Sequence, residues 1–97
     1  MATSVSTHVL DTAVGRPVSG VRVSLYRGTE LVARGDTDAD GRVTELGHDL
    51  APGSYRLLFA LKGPFFEEVA LQVRLEDGHY HVPLLVTPFG CITYRGS

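Results

Sequence analysis

The chain is poor in the residues that announce specialised chemistry. Cys91 is the single cysteine in 97 residues, which excludes an internal disulfide and a thiolate zinc cluster. Tryptophan is absent, Lys62 is the one lysine, eight arginines are scattered singly, and the net charge is −2. No basic stripe exists to neutralise phosphates, so nucleic acid is not an expected partner. No apolar run approaches membrane-spanning length. The segment Met1-Ala2-Thr3-Ser4-Val5-Ser6 has neither the charged nor the apolar region of a secretory leader, and the ending Arg95-Gly96-Ser97 is not a peroxisomal signal. A soluble, cytoplasmic protein with no membrane contact is the expectation. Helical periodicity is almost missing, and no Gly-x-Ser-x-Gly elbow occurs.

What is present is alternation. At 43% apolar residues the chain is an ordinary globular protein, expected to be one domain over residues 1–97. Val5, Thr7 and Val9 share one face of a first strand, with Ser6, His8 and Leu10 on the other. Asp11 to Gly20 reads as a loop. Val21 to Arg27 is apolar at every odd position, and Gly28-Thr29 closes a hairpin into Glu30 to Arg34. Asp36 to Gly41 is a turn. It resembles the start of a calcium loop, but Gly47 stands where the bidentate glutamate belongs. Short strands follow at Arg42 to Glu45, Ser54 to Leu61 and Val69 to Leu75. In the last segment Tyr80, Val82, Leu84 and Val86 face one way, and His79, His81, Pro83 and Leu85 the other. The chain stops directly after Tyr94-Arg95-Gly96-Ser97, an end expected to be tied down. Strands of this length joined by frequent turns predict an all-β, antiparallel sandwich of about eight strands. Its inner faces should hold Val21, Val23, Leu25, Leu57, Phe59, Val69, Leu71 and Val73.

Few groups can carry chemistry. His8 and His81 lie opposite the core-facing residues of their strands, beside Leu10 on one and Pro83 and Leu85 on the other. A face mixing imidazoles with leucine suggests cover by a partner subunit; two unrelated surface histidines are the plainer reading. His48 and His79 sit beside turns and read as solvated. His79 and His81 share a face, but two imidazoles lack the further ligands zinc demands, so no metal is expected. Cys91 has no activating partner in the sequence and reads as a small apolar residue. Arg42, set by the Asp40-Gly41 turn, is either a surface charge or a clamp for an anionic or carbonyl-bearing ligand.

The stretch from Arg16-Pro17-Val18-Ser19-Gly20-Val21 through Asp38-Ala39-Asp40-Gly41-Arg42 to Gly53-Ser54-Tyr55 resembles transthyretin-like (prealbumin-like) sandwiches. The ends narrow the likeness. Ser6-Thr7-His8-Val9-Leu10-Asp11 and His79-Tyr80-His81-Val82-Pro83-Leu84-Leu85, with Thr93-Tyr94-Arg95-Gly96-Ser97, resemble the signature of the 5-hydroxyisourate hydrolases. The resemblance covers essentially the whole chain. It implies hydrolysis of 5-hydroxyisourate to 2-oxo-4-hydroxy-4-carboxy-5-ureidoimidazoline in urate catabolism. It also implies a metal-free enzyme without cofactor, assembled as a homotetramer (a dimer of dimers) with sites at the dimer–dimer contact. Carried onto matching positions, the catalytic residues are His8, Arg42, His81 and Ser97. Tyr94 and Arg95 join His8, Arg42 and Ser97 around the substrate.

The implied roles suit the residue types. One imidazole can take a proton from water while the other orients it or protonates the leaving nitrogen. Arg42 can stabilise the developing oxyanion, and Ser97 offers a hydroxyl and a terminal carboxylate. Which histidine is the base stays open at this stage. The chain departs from the family at Cys91 and Ile92, where an aromatic and a serine are usual. It also departs at Lys62-Gly63-Pro64, which leaves no room for the short helix usual after the strand ending near Leu61, so that helix is predicted to be missing. A transthyretin-like hormone carrier and a plain sandwich module for adhesion or sugar binding are the competing readings.

Overall fold

A computed structural model describes residues 3–96. Among them run nine strands: β1 (Thr3–Asp11), β2 (Arg16–Pro17), β3 (Arg22–Arg27), β4 (Glu30–Asp36), β5 (Arg42–Val43), β6 (Gly53–Ala60), β7 (Glu68–Leu75), β8 (Gly78–Val86) and β9 (Cys91–Thr93). No helix occurs among the described residues, so none is long and apolar enough to cross a membrane. The connection from β6 to β7 is coil, as the Lys62-Gly63-Pro64 run leads one to expect.

Two sheets form. One has the order β2-β1-β8-β9, with β5 also pairing β1; the other has the order β4-β3-β6-β7. Alternation explains their packing. Val5, Val9, Val82 and Leu84 of the first sheet meet Val23, Leu25, Leu57 and Phe59 of the second, and all are buried. Each large apolar side chain removed from water in this way contributes about 1.5–3 kcal/mol. Tyr55 is buried by its ring, while its hydroxyl donates to the Ala51 carbonyl at 2.6 Å and accepts from Arg27 Nη1 at 3.2 Å.

Four expectations need correction. The sandwich is not wholly antiparallel: β1 and β8 run parallel in unbroken register from Thr3 opposite Gly78 to Asp11 opposite Val86. Their separation along the chain lets the rest of the fold serve as the crossover that a parallel pair requires. The Asp11–Gly20 loop contains the two-residue strand β2, and the strand sought over Arg42 to Glu45 is only Arg42–Val43. Two residues carry no detectable period, so neither boundary is written in the sequence. Val69, Leu71 and Val73 do face the core, but they are half-buried because β7 is the last strand of its sheet.

Where the coil after β6 crosses the end of the sandwich, a cavity of about 390 Å³ opens between the sheets, lined by Val9, Val18, Val21, Leu61, Phe66 and Val86 among others. None of His8, Arg42, His79 and His81 lines it.

Candidate active site

The site is built on the outer face of the β1–β8 sheet. Register places its members. His8 on β1 stands directly opposite Arg42 on β5. On the other side of β1, Ser4 stands opposite His79 and Ser6 opposite His81. Paired residues project from the same face of a sheet, so one surface gathers three imidazoles and a guanidinium from three strands.

The turn before β5 fixes Arg42. The Asp38 carboxylate accepts from the backbone N–H groups of Asp40 at 2.9 Å and Arg42 at 3.0 Å. The Arg42 carbonyl accepts from the Asp38 N–H at 2.9 Å. Gly41 completes the turn with φ of 75°, and its carbonyl oxygen accepts from the Val9 N–H at 2.7 Å. A Cβ at Gly41 would lie 2.5 Å from the Val9 carbonyl oxygen and 2.9 Å from Pro17 Cβ. Glycine is therefore required by both conformation and space.

The turn also orients His8. Its Nε2 lies 2.8 Å from the Asp40 carbonyl oxygen. A carbonyl only accepts, so Nε2 carries a hydrogen and the neutral ring keeps its lone pair on Nδ1. His81 is held from the other side, with Nδ1 2.8 Å from Ser6 Oγ. Its imidazolium is disfavoured first by burial, then by the positive charge of Arg42, with His8 and His79 adding to the repulsion. The His81 pKa accordingly lies below the usual histidine value, and the ring is neutral near pH 7.

The terminal motif splits in two. The Gly96 N–H donates to the His81 carbonyl at 2.6 Å, pinning the chain end beside that ring. A Cβ on Gly96 would approach His81 Cδ2 to 2.8 Å, so this residue too must be small. Tyr94 is 54% exposed, near Ile92 at 63%, and half-buried Leu10 and Leu85 lie on the histidine face. Arg95 turns the other way: its guanidinium lies 4.3 Å from the centre of the Tyr80 ring, which packs against the core. Ser97 lies outside the described residues.

Two participants, Ser4 and Ser6, carry no signal in the sequence that sets them apart from other polar residues of β1. His79 is exposed, as its place beside a turn leads one to expect, but it is also bonded into the site. His79 bonds Ser4 through Nδ1 at 2.7 Å and Ser6 through Nε2 at 2.8 Å. The face that Ser6 shares with His8 is visible in the sequence, but the β1–β8 pairing is not. His48 remains exposed at a turn, 3.9 Å from Glu45. Cys91 is half-buried against the core on the inner side.

The family model described as HIUase/Transthyretin matches residues 5–96. The chain belongs to that family. Within it, the chain is similar to a protein of Caulobacter vibrioides named 5-hydroxyisourate hydrolase, 42% identical over 95% of this chain and 96% of that one. Their alignment runs over 111 positions although this chain has 97 residues, so the relative carries residues with no counterpart here. The solved 5-hydroxyisourate hydrolase of Klebsiella pneumoniae superposes with a TM-score of 0.90 at 33% identity, covering 98% of this chain and 99% of that one. Transthyretin of Sparus aurata superposes with a TM-score of 0.86 at 26% identity, covering 95% of each chain. Both an enzyme and a transthyretin thus share this family's sandwich.

Proposed function

We propose that this protein hydrolyses 5-hydroxyisourate to 2-oxo-4-hydroxy-4-carboxy-5-ureidoimidazoline, a step of urate degradation. The observation that carries the reading is the meeting of His8, Arg42 and His81 on one sheet face. It is supported by near full-length similarity to proteins named for that activity. The chemistry follows from the atoms available. A neutral imidazole takes a proton from water as its oxygen adds to the ring carbonyl; His8 Nδ1, whose tautomer is set by the Asp40 carbonyl, is one such base. The planar Arg42 guanidinium stabilises the oxyanion that forms. The C–N bond then breaks: the former ring carbonyl becomes a carboxylate, and the leaving nitrogen takes up the proton that the imidazoles accepted from water, with His81 beside His8 as the second imidazole able to pass it on.

Ser97 supplies a hydroxyl and a terminal carboxylate at the site in this reading, Tyr94 borders the substrate, and Arg95 braces the terminal segment by its stacking on Tyr80. Ile92, set opposite Leu85 on the histidine-bearing face, and Tyr94 two residues on expose large apolar side chains, which supports a closed site formed between protomers. The assembly we propose is a homotetramer, a dimer of dimers with the sites at the dimer–dimer contact, acting in the cytoplasm. Three imidazoles and a guanidinium make this face ill-suited to an apolar hormone, which favours catalysis over carriage.

The test is direct. Freshly generated 5-hydroxyisourate should lose its ultraviolet absorbance faster with the protein than in buffer. Identical decay in the two cuvettes ends the proposal.

A further inference from the structure

The outer face carries a hydrogen-bonded line that the reaction above does not use. Ser4 Oγ lies 2.7 Å from His79 Nδ1, His79 Nε2 lies 2.8 Å from Ser6 Oγ, and Ser6 Oγ lies 2.8 Å from His81 Nδ1. The parallel register creates it by setting Ser4 against His79 and Ser6 against His81. The line runs from exposed His79 and half-buried Ser4 inward to half-buried His81.

Donor counting determines what such a line can do. Ser6 has one hydroxyl proton and touches two ring nitrogens, so it donates to one and accepts from the other. With both rings neutral, two arrangements satisfy every contact. In the first, Ser4 O–H donates to His79 Nδ1, His79 Nε2–H donates to Ser6 Oγ, and Ser6 O–H donates to His81 Nδ1. His81 then carries its hydrogen on Nε2 and faces the site as an acid. In the second, His81 Nδ1–H donates to Ser6 Oγ, Ser6 O–H donates to His79 Nε2, and His79 Nδ1–H donates to Ser4 Oγ. His81 then faces the site with a lone pair on Nε2, as a base.

We infer that Ser6, His79 and Ser4 form a proton relay that positions His81 and switches it between acid and base tautomers. The inference rests on the reading of His81 as a catalytic imidazole. The step balances. Starting from the second arrangement, a proton arrives at His81 Nε2. The Nδ1 proton passes to Ser6, the Ser6 proton to His79 Nε2, the His79 Nδ1 proton to Ser4, and the Ser4 proton to water. One proton enters, one leaves, only N–H and O–H bonds change, and the first arrangement results. The groups facing His81 give the relay its purpose. Arg42 on β5, His8 on β1 and His79 on β8 all oppose a standing positive charge on this ring, and burial does so as well. A relay lets the ring exchange acid for base without holding that charge. Ser6 and His79 are thus positioning residues, acting through His81.

The experiment uses the full chain with ¹⁵N-labelled histidine and reads the tautomer of His81 in long-range ¹H–¹⁵N spectra. The variants are Ser6→Ala, Ser6→Thr and His79→Gln. In the wild type both neutral tautomers of His81 should be populated; in Ser6→Ala and His79→Gln one should dominate, and the His81 titration midpoint should move. In the decay assay Ser6→Ala should lower kcat by about ten- to a hundredfold with little change in KM. Ser6→Thr, which keeps the hydroxyl, should restore most of it. An unchanged His81 tautomer balance in both Ser6→Ala and His79→Gln overturns the relay. His79 is exposed, so its variant decides the matter even if Ser6→Ala fails to fold. A wild-type protein inactive on 5-hydroxyisourate would overturn the proposed function, while the spectra would still decide the relay.

Discussion

His81 is the residue whose surroundings differ most from those of a free histidine. Burial lowers its pKa most, and Arg42 is the next cause. The sign of the consequence is definite. The folded ring binds a proton less readily than the unfolded one, whose pKa is about 6.5. Between that value and the lowered folded value, the unfolded chain holds more protons. Stability contributed by this residue therefore falls as pH drops through that window and is unaffected above it. Replacing Arg42 with Gln removes a positive neighbour without removing burial. The His81 midpoint should rise part of the way toward its ordinary value in an NMR titration; a midpoint that stays put or falls would show that the guanidinium does not act on this ring. The types of residue at the site were legible in the sequence, because His8, Arg42 and His81 stand out in a chain with few reactive groups. The partners that hold their rings were not. The Asp40 carbonyl is a backbone atom, and Ser6 gains meaning only from the strand beside it.

At the scale of elements, the turn from Asp38 to Arg42 does more than reverse the chain. It carries the acceptor for His8, the acceptor for the Val9 N–H and the backbone of Arg42. Gly41→Ala should destabilise the fold by about 1–3 kcal/mol through its positive φ alone, with the 2.5 Å approach to the Val9 carbonyl adding to this. Chemical denaturation reads the loss, and a midpoint equal to that of the wild type would contradict it. The turn was legible because Asp-Gly suits left-handed backbone, and the longer strands were legible through their alternation. The pairing of β1 with β8 was not. It is parallel and joins the two ends of the chain, so no turn between them records its register. The line from Ser4 to His81 depends on that register, which is why His79 reads as an ordinary turn-side histidine until the sheet is seen.

At the scale of the molecule, the fold leaves unfinished surfaces. β7 ends one sheet and β9 ends the other, and Ile92 and Tyr94 remain largely exposed. A chain of this size buries only about 60–65% of its unfolded surface, so cover from other copies would strengthen it as well as enclose the site. The shortened connection after β6 alters the far end of the sandwich, where the cavity lies, and leaves the histidine face as the register builds it. The central claim is that His8, Arg42 and His81 act together on one substrate. It is tested most directly by the initial rate of 5-hydroxyisourate decay at neutral pH, compared between the wild type and folded His8→Ala, Arg42→Ala and His81→Ala variants. Each substitution should lower the protein-dependent rate by about a hundredfold or more. Variants that keep the wild-type rate would contradict the account.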